Sequence, residues 1–185
     1  MEARTHNTEQ ECRALLRSCR ELFEKKLHDY GAAWRILRPE SLTDQIYIKA
    51  ERIRSLQING FAAVDEGVEP EFIGIVNYGI IGMIQLERGA VSSPDLSPRE
   101  ALAEYDRYAE KTLQLMLAKN HDYGEVWRNM RVTSMTDLIL SKVHRTKQIE
   151  DLRGETFVSE GIEANYMDMV NYALFCLIKL NSPEA

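Results

Sequence analysis

One pattern constrains any reading of this chain: much of it is written twice. His28-Asp29-Tyr30-Gly31 recurs as His121-Asp122-Tyr123-Gly124 at an offset of 93. At the same offset Trp34-Arg35 matches Trp127-Arg128, and Arg38 matches Arg131. Ser41, Thr43 and Asp44 match Ser134, Thr136 and Asp137, while Lys49 and Arg52 match Lys142 and Arg145. After a one-residue insertion the offset becomes 94: Glu66-Gly67, Glu69 and Val76-Asn77-Tyr78 then match Glu160-Gly161, Glu163 and Val170-Asn171-Tyr172. The period is far longer than that of a solenoid, so the expectation is duplication of a small unit whose halves pack as a pseudo-dimer. The first repeat takes in about 8–88, the linker 89–97 and the second repeat about 98–181, all within one domain spanning 1–185.

Each unit reads as three helices, so the fold class is all-α, a helical bundle of two tandem three-helix repeats. Thr8 and Glu11 have the spacing of a capping box, as do Ser97 and Glu100 with Pro98 at the first helical position. Leu15, Leu16, Leu22, Phe23 and Leu27 keep helical spacing up to Tyr30-Gly31. Ser41 with Asp44, and Ser134 with Asp137, predict the starts of middle helices of about four turns. The third helices, about 70–87 and 164–180, are apolar almost throughout, which places them at the centre of the bundle. Gly74, Gly79 and Gly82 interrupt the first of these and imply close approach of another helix, its own second copy being the natural candidate.

Composition narrows the function classes. The 185 residues carry 23 Lys plus Arg against 29 Asp plus Glu, a net charge of −6, which gives no global attraction to nucleic acid, so any phosphate site is local. The longest apolar run, Phe72 to Leu86, is too short to span a bilayer and contains Asn77 and Gln85, which predicts no membrane association. The first ten residues hold no signal-peptide core. Cys12, Cys19 and Cys176 form no CxxC pair, which fits reduced thiols and a cytoplasmic location.

Several residues stand out chemically. Lys49 and Arg52, repeated as Lys142 and Arg145, place two cations on one helix face; they are either a solvated face or a phosphate clamp. Asn77 and Tyr78, with Asn171 and Tyr172, lie inside apolar stretches and need polar partners, from the other half of the bundle or from a ligand. Asp168 lies three residues before Asn171 on the same face, a metal-ligand or general-base position, whereas the first copy has Gly74 there. Tyr123 and Trp127, like Tyr30 and Trp34, either plug the bundle end or stack on a base, with Arg35 and Arg128, or Arg38 and Arg131, on its phosphates. Glu160 and Glu163 sit near the start of the last helix. They complement its dipole, or join Asp168 in a divalent-cation site.

The residues His-Asp-Tyr-Gly-x-x-Trp-Arg, Lys-x-x-Arg and Val-Asn-Tyr, each present twice, resemble the nucleotide modification associated domain family over about residues 10 to 182. That resemblance implies an α-helical fold and an association with nucleotide metabolism or DNA modification, without a settled reaction. A more distant resemblance is to the all-α nucleoside triphosphate pyrophosphatases of the MazG and dimeric dUTPase group, whose helix-borne acidic motifs bind magnesium. Here Glu163 and Asp168 are five apart rather than three, and the middle helix carries Lys and Arg instead of an acidic pair.

Two readings follow. In one the protein is a Mg²⁺-dependent pyrophosphohydrolase: Asp168, Glu163 and Glu160 hold the metal, Lys142, Arg145, Lys49 and Arg52 the phosphates, and Tyr123 and Trp127 the base. In the other it binds a nucleotide or similar phosphate-bearing small molecule without catalysis. A homodimer, or a homo-oligomeric scaffold, fits a bundle with so apolar a central helix.

Overall fold

The computed structural model describes residues 7–60 and 67–182; Glu66, the sequence match of Glu160, lies outside them. The six helices in chain order are α1 (Thr8–Tyr30), α2 (Pro39–Asn59), α3 (Glu69–Arg88), α4 (Pro98–Tyr123), α5 (Val132–Asp151) and α6 (Ile162–Leu180). Short 3-10 turns, Ala33–Ile36 and Val126–Asn129, follow α1 and α4. Among the described residues there is no strand, and no helix is long and apolar enough to cross a membrane.

Local chemistry sets most boundaries. Ser97 and Glu100 form the reciprocal capping box at the start of α4. At α1 the cap is instead Asn7, whose side chain accepts from the Gln10 amide, and Thr8 is buried within the helix. Both α1 and α4 stop at a glycine of positive φ, Gly31 at 65° and Gly124 at 66°, where a side chain would be strained.

The middle helices depart from expectation. α2 begins at Pro39 and α5 at Val132, with no side-chain cap at either, so Ser41 and Ser134 lie inside the first turn. Proline's fixed φ and missing N–H suit the first helical position, which starts α2 two residues early. At 21 and 20 residues these helices run to nearly six turns rather than four. Asp44 and Asp137 are freed from capping and pair across the repeat boundary instead, Asp44 with Lys147 at 2.6 Å and Asp137 with Arg54 at 3.9 Å.

Those two pairs are each other's copies at the 93-residue offset, as are Thr43–Glu150 at 2.6 Å and Gln57–Thr136 at 3.0 Å. A pseudo-twofold axis therefore passes between antiparallel α2 and α5. α3 and α6 form the centre and pack most extensively against each other, each backed by the middle helix of its own repeat. A Cβ on Gly79 would lie 2.5 Å from Cγ2 of Val170, and one on Gly82 2.9 Å from the Tyr166 ring, so these two glycines bring α3 against α6. Gly74 serves a different neighbour: its missing Cβ leaves room for the aliphatic stem of Lys49. Cys12, Cys19 and Cys176 are buried free thiols, and burial pushes each up to about 12.

Candidate functional site

The segments after α1 and α4 are built alike. Each glycine hands the chain to a 3-10 turn whose tryptophan turns inward; Trp34 is 8% exposed and Trp127 3%. Trp127 stacks on Phe175 of α6 with ring centroids 4.3 Å apart. The turn carbonyls are clamped from the third helix. Gln85 donates to the carbonyls of Arg35 (2.9 Å) and Leu37 (2.5 Å), and its counterpart Lys179 donates to that of Arg128 (2.6 Å).

The arginines of these turns are structural, contrary to the expectation that they face a ligand phosphate. Arg35 is buried, forked onto Asp95 of the linker at 2.7 and 3.2 Å, and also donates to Gln85 and to the Gly89 carbonyl. Arg128 ties the second turn to the start of α1 through Glu11 (2.5 Å) and Thr8 (2.8 Å), and also meets Glu125 (2.5 Å).

Under each turn lies a cleft. The one in the first repeat, about 500 Å³, is walled by Tyr30, Trp34, Tyr78, Asn77, Lys26 and Lys49 among others. The one in the second repeat, about 420 Å³, is walled by their counterparts Tyr123, Trp127, Tyr172, Asn171 and Lys119, together with Asp168 and Glu160. Tyr30 and Tyr123 are exposed at the rims. Lys26 and Lys119 were not singled out from the sequence, although they repeat at the 93-residue offset two positions before His28 and His121. That was the available signal.

The charges are arranged differently in the two copies. In the second, Asp168 accepts from Lys119 at 2.7 Å and Lys142 at 2.6 Å, one ammonium on each oxygen. Burial pushes the Asp168 carboxyl up, yet the two ammonium groups hold it below the usual carboxylate range. In the first, the buried acid is Glu71, one helical turn earlier, which pairs with Lys49 at 3.1 Å and with Arg52. The second copy has Asn165 at the Glu71 position, and the first has Gly74 at the Asp168 position. The acid has thus moved by one turn between copies while still meeting the same lysine of the middle helix.

The remaining candidates lie elsewhere. Lys142 meets Asp168 but does not line the cleft. Arg145 is exposed and makes no ion pair among the described residues. Glu163 pairs with Lys111 at 2.7 Å on the surface. Among the described residues no three His, Cys, Asp or Glu side chains are grouped to hold a metal ion. Glu160, Glu163 and Asp168 therefore do not form the expected magnesium set: Glu163 is drawn off by Lys111, and both oxygens of Asp168 carry lysine. The residues do not fit a divalent cation, which needs several free carboxylate oxygens.

The two asparagines also differ. The Asn77 amide donates to the Cys19 carbonyl at 3.2 Å and accepts from the Tyr105 hydroxyl at 2.8 Å. Asn171 donates to the equivalent carbonyl of Thr112 at 3.4 Å, but its buried Oδ1 has no partner. The counterpart of Tyr105 is Cys12, which lacks a hydroxyl in reach. The indole N–H groups of Trp34 and Trp127 are likewise buried without partners. Removing one hydroxyl should reproduce the Asn171 state at Asn77: Tyr105→Phe is expected to cost about 1–2 kcal/mol in urea unfolding. No loss would mean that the hydrogen bond to Asn77 contributes nothing.

No curated protein and no solved structure matches the chain, and the resemblance to the all-α pyrophosphatases gains no support. The sequence profile of nucleotide modification associated domain 1 matches twice, over residues 26–86 and 119–180. Each match takes in most of one cleft's walls, from the lysine of the first helix to the aromatics of the third. With two thirds of its length inside those matches, the chain belongs to the nucleotide modification associated domain 1 family, in duplicated form.

Proposed function

We propose that the protein binds nucleotides, or similar compounds joining a planar ring to phosphate, in its paired clefts, and does so without metal-dependent catalysis. One observation carries the reading: in both copies a lysine from the first helix faces a Trp-Tyr wall whose indole N–H is buried and unpartnered. Aromatic faces suit a base and ammonium groups suit phosphate. The family's description, which associates it with nucleotide modification, points the same way. Binding is favoured over hydrolysis because the acid that a metal would need is committed to two lysines.

Thermal unfolding in EDTA with a panel of nucleoside mono- and triphosphates tests this. A ligand at one hundred times its Kd stabilises by about 2.7 kcal/mol, and at roughly 2–4 °C per kcal/mol the midpoint rises by roughly 5–10 °C. No shift with any nucleotide at millimolar concentration defeats the binding reading. Release of pyrophosphate with Mg²⁺ or Mn²⁺ that is lost in Asp168→Asn restores the hydrolase.

A further inference from the structure

We propose that the two clefts take different ligands: the N-terminal cleft a phosphate-bearing compound, the C-terminal cleft an uncharged planar compound of the nucleoside or nucleobase class. The proposal rests on the binding reading above and assigns each cleft its ligand. It starts from one substitution between the copies, Gly74 for Asp168.

In the N-terminal cleft, Gly74 leaves Lys26 without the acid that its counterpart Lys119 holds. Lys26 makes no hydrogen bond or ion pair among the described residues. Lys49 contributes a second ammonium beside Glu71, whose charge Arg52 also shares. Among the described residues the walls thus carry two lysines against one carboxylate, and Lys26 has no partner there. A phosphate entering here gains a charge-assisted partner and displaces nothing. The neutral amide of this cleft is already engaged, since Asn77 donates to the Cys19 carbonyl and its oxygen accepts from Tyr105.

The C-terminal cleft is the reverse. Lys119 faces Asp168 and Glu160 in the walls, and Lys142 behind Asp168 brings the local charge only to zero. A phosphate would have to break both lysine contacts and leave Asp168, 8% exposed, as an unpaired buried anion next to it. What the cleft walls carry instead is neutral: the Trp127–Phe175 stack, and in Trp127 and Asn171 a buried, unpartnered indole N–H and amide Oδ1. An aromatic wall with no spare charge suits an uncharged heterocycle, which meets those two atoms once the side chains covering them shift. Selection between the clefts is therefore a matter of whether the first-helix lysine is already paired: Lys119 is held by Asp168, whereas Lys26 has no partner among the described residues.

The chain contains two tryptophans, one in each cleft, so the two sites report separately. Both indole N–H signals can be followed by ¹⁵N NMR of the full chain in EDTA. The titrants are the four ribonucleosides, their 5′-monophosphates and inorganic phosphate. The Trp34 signal is expected to respond to monophosphates about tenfold or more tightly than to nucleosides, the worth of one charged hydrogen bond. That response should weaken with salt and compete with inorganic phosphate. The Trp127 signal is expected to respond to nucleosides at least as tightly as to monophosphates. Lys26→Gln, an exposed change that leaves the fold intact, should remove the phosphate advantage at Trp34 and leave Trp127 unchanged; the same comparison assigns the two signals. Asp168→Asn should create a phosphate preference at Trp127. Equal preferences at the two indoles, or a phosphate advantage that survives Lys26→Gln, overturn the division of ligands while leaving binding intact. Silence of both indoles towards every titrant overturns the binding reading with it.

Discussion

Arg35→Ala is expected to destabilise the protein by about 3–5 kcal/mol, from stranded buried acceptors and a cavity together. The guanidinium side chain is 2% exposed and joins three separate pieces of the chain: the first 3-10 turn, the C-terminal end of α3 and the linker. Its removal strands the Gln85 side-chain oxygen and the Gly89 carbonyl and opens a cavity under the turn. Asp95, by contrast, is 45% exposed and recovers water readily. A folded protein of this size has about 5–15 kcal/mol in hand, so the midpoint should fall by roughly 6–20 °C at about 2–4 °C per kcal/mol. Arg35→Lys should not rescue it, because one ammonium cannot reproduce a fork that serves Asp95, Gln85 and Gly89 together. Arg128→Ala should cost less, since that side chain is 18% exposed against 2% for Arg35. Equal losses from the two alanine variants would refute this account of the linker clamp.

The second large effect is pH-dependent and concerns Glu150 at the α2–α5 contact. Burial pushes its carboxyl up to about 7; the hydrogen bond from Thr43 opposes the shift, and the negative charges of Glu40 and Asp44 reinforce it. Thr43 also meets the Tyr166 hydroxyl at 2.7 Å, so the site is closed by three side chains. The native state thus holds a proton that the unfolded chain, near the ordinary value of 4.5, releases. Between pH 4.5 and 7 the native state binds more protons, so stability falls as pH rises through that window and is flat beyond it. A shift of that size is worth at most about 3 kcal/mol. Glu150→Gln removes the titration, and the pseudo-symmetric site already uses glutamine, with Gln57 donating to Thr136. The variant should match the wild type at pH 4.5 and exceed it by up to about 3 kcal/mol at pH 8, read from urea unfolding at each pH. Parallel stability curves for the two proteins would show that Glu150 titrates normally.

Both effects arise from contacts between segments far apart in the chain, and the same division separates what was legible in the sequence from what was not. The duplication, the three helices per unit, the Ser97 cap and the central place of α3 and α6 were legible, because they are written in local patterns: offsets, caps and runs of apolar residues. So was the close approach at Gly79 and Gly82. The start of α2 was misplaced because Ser41 offered a familiar cap, while Pro39 two residues earlier already met the geometric needs of a first turn. The cleft walls Asn171, Tyr172, Tyr123 and Trp127, with Lys49 and Asn77 in the other copy, were named from sequence and stand together in the structure.

The partners of the charged residues were not legible. Nothing in the spacing of Lys142, Arg145 and Asp168 tells that Lys142 reaches Asp168 while Arg145 faces solvent, or that Lys119 arrives from α4 to take the second oxygen. Nor does it tell that Glu71 and Asp168, one turn apart in register, serve the same lysine position. A helix is dictated by its own residues, since its hydrogen bonds close within four positions. An ion pair between helices depends on crossing geometry and side-chain reach, which exist only once the bundle has packed. The amino-acid order set two copies of one helical unit; the packing of those copies paired Lys119 with Asp168 in one cleft and left Lys26 without a partner among the described residues in the other.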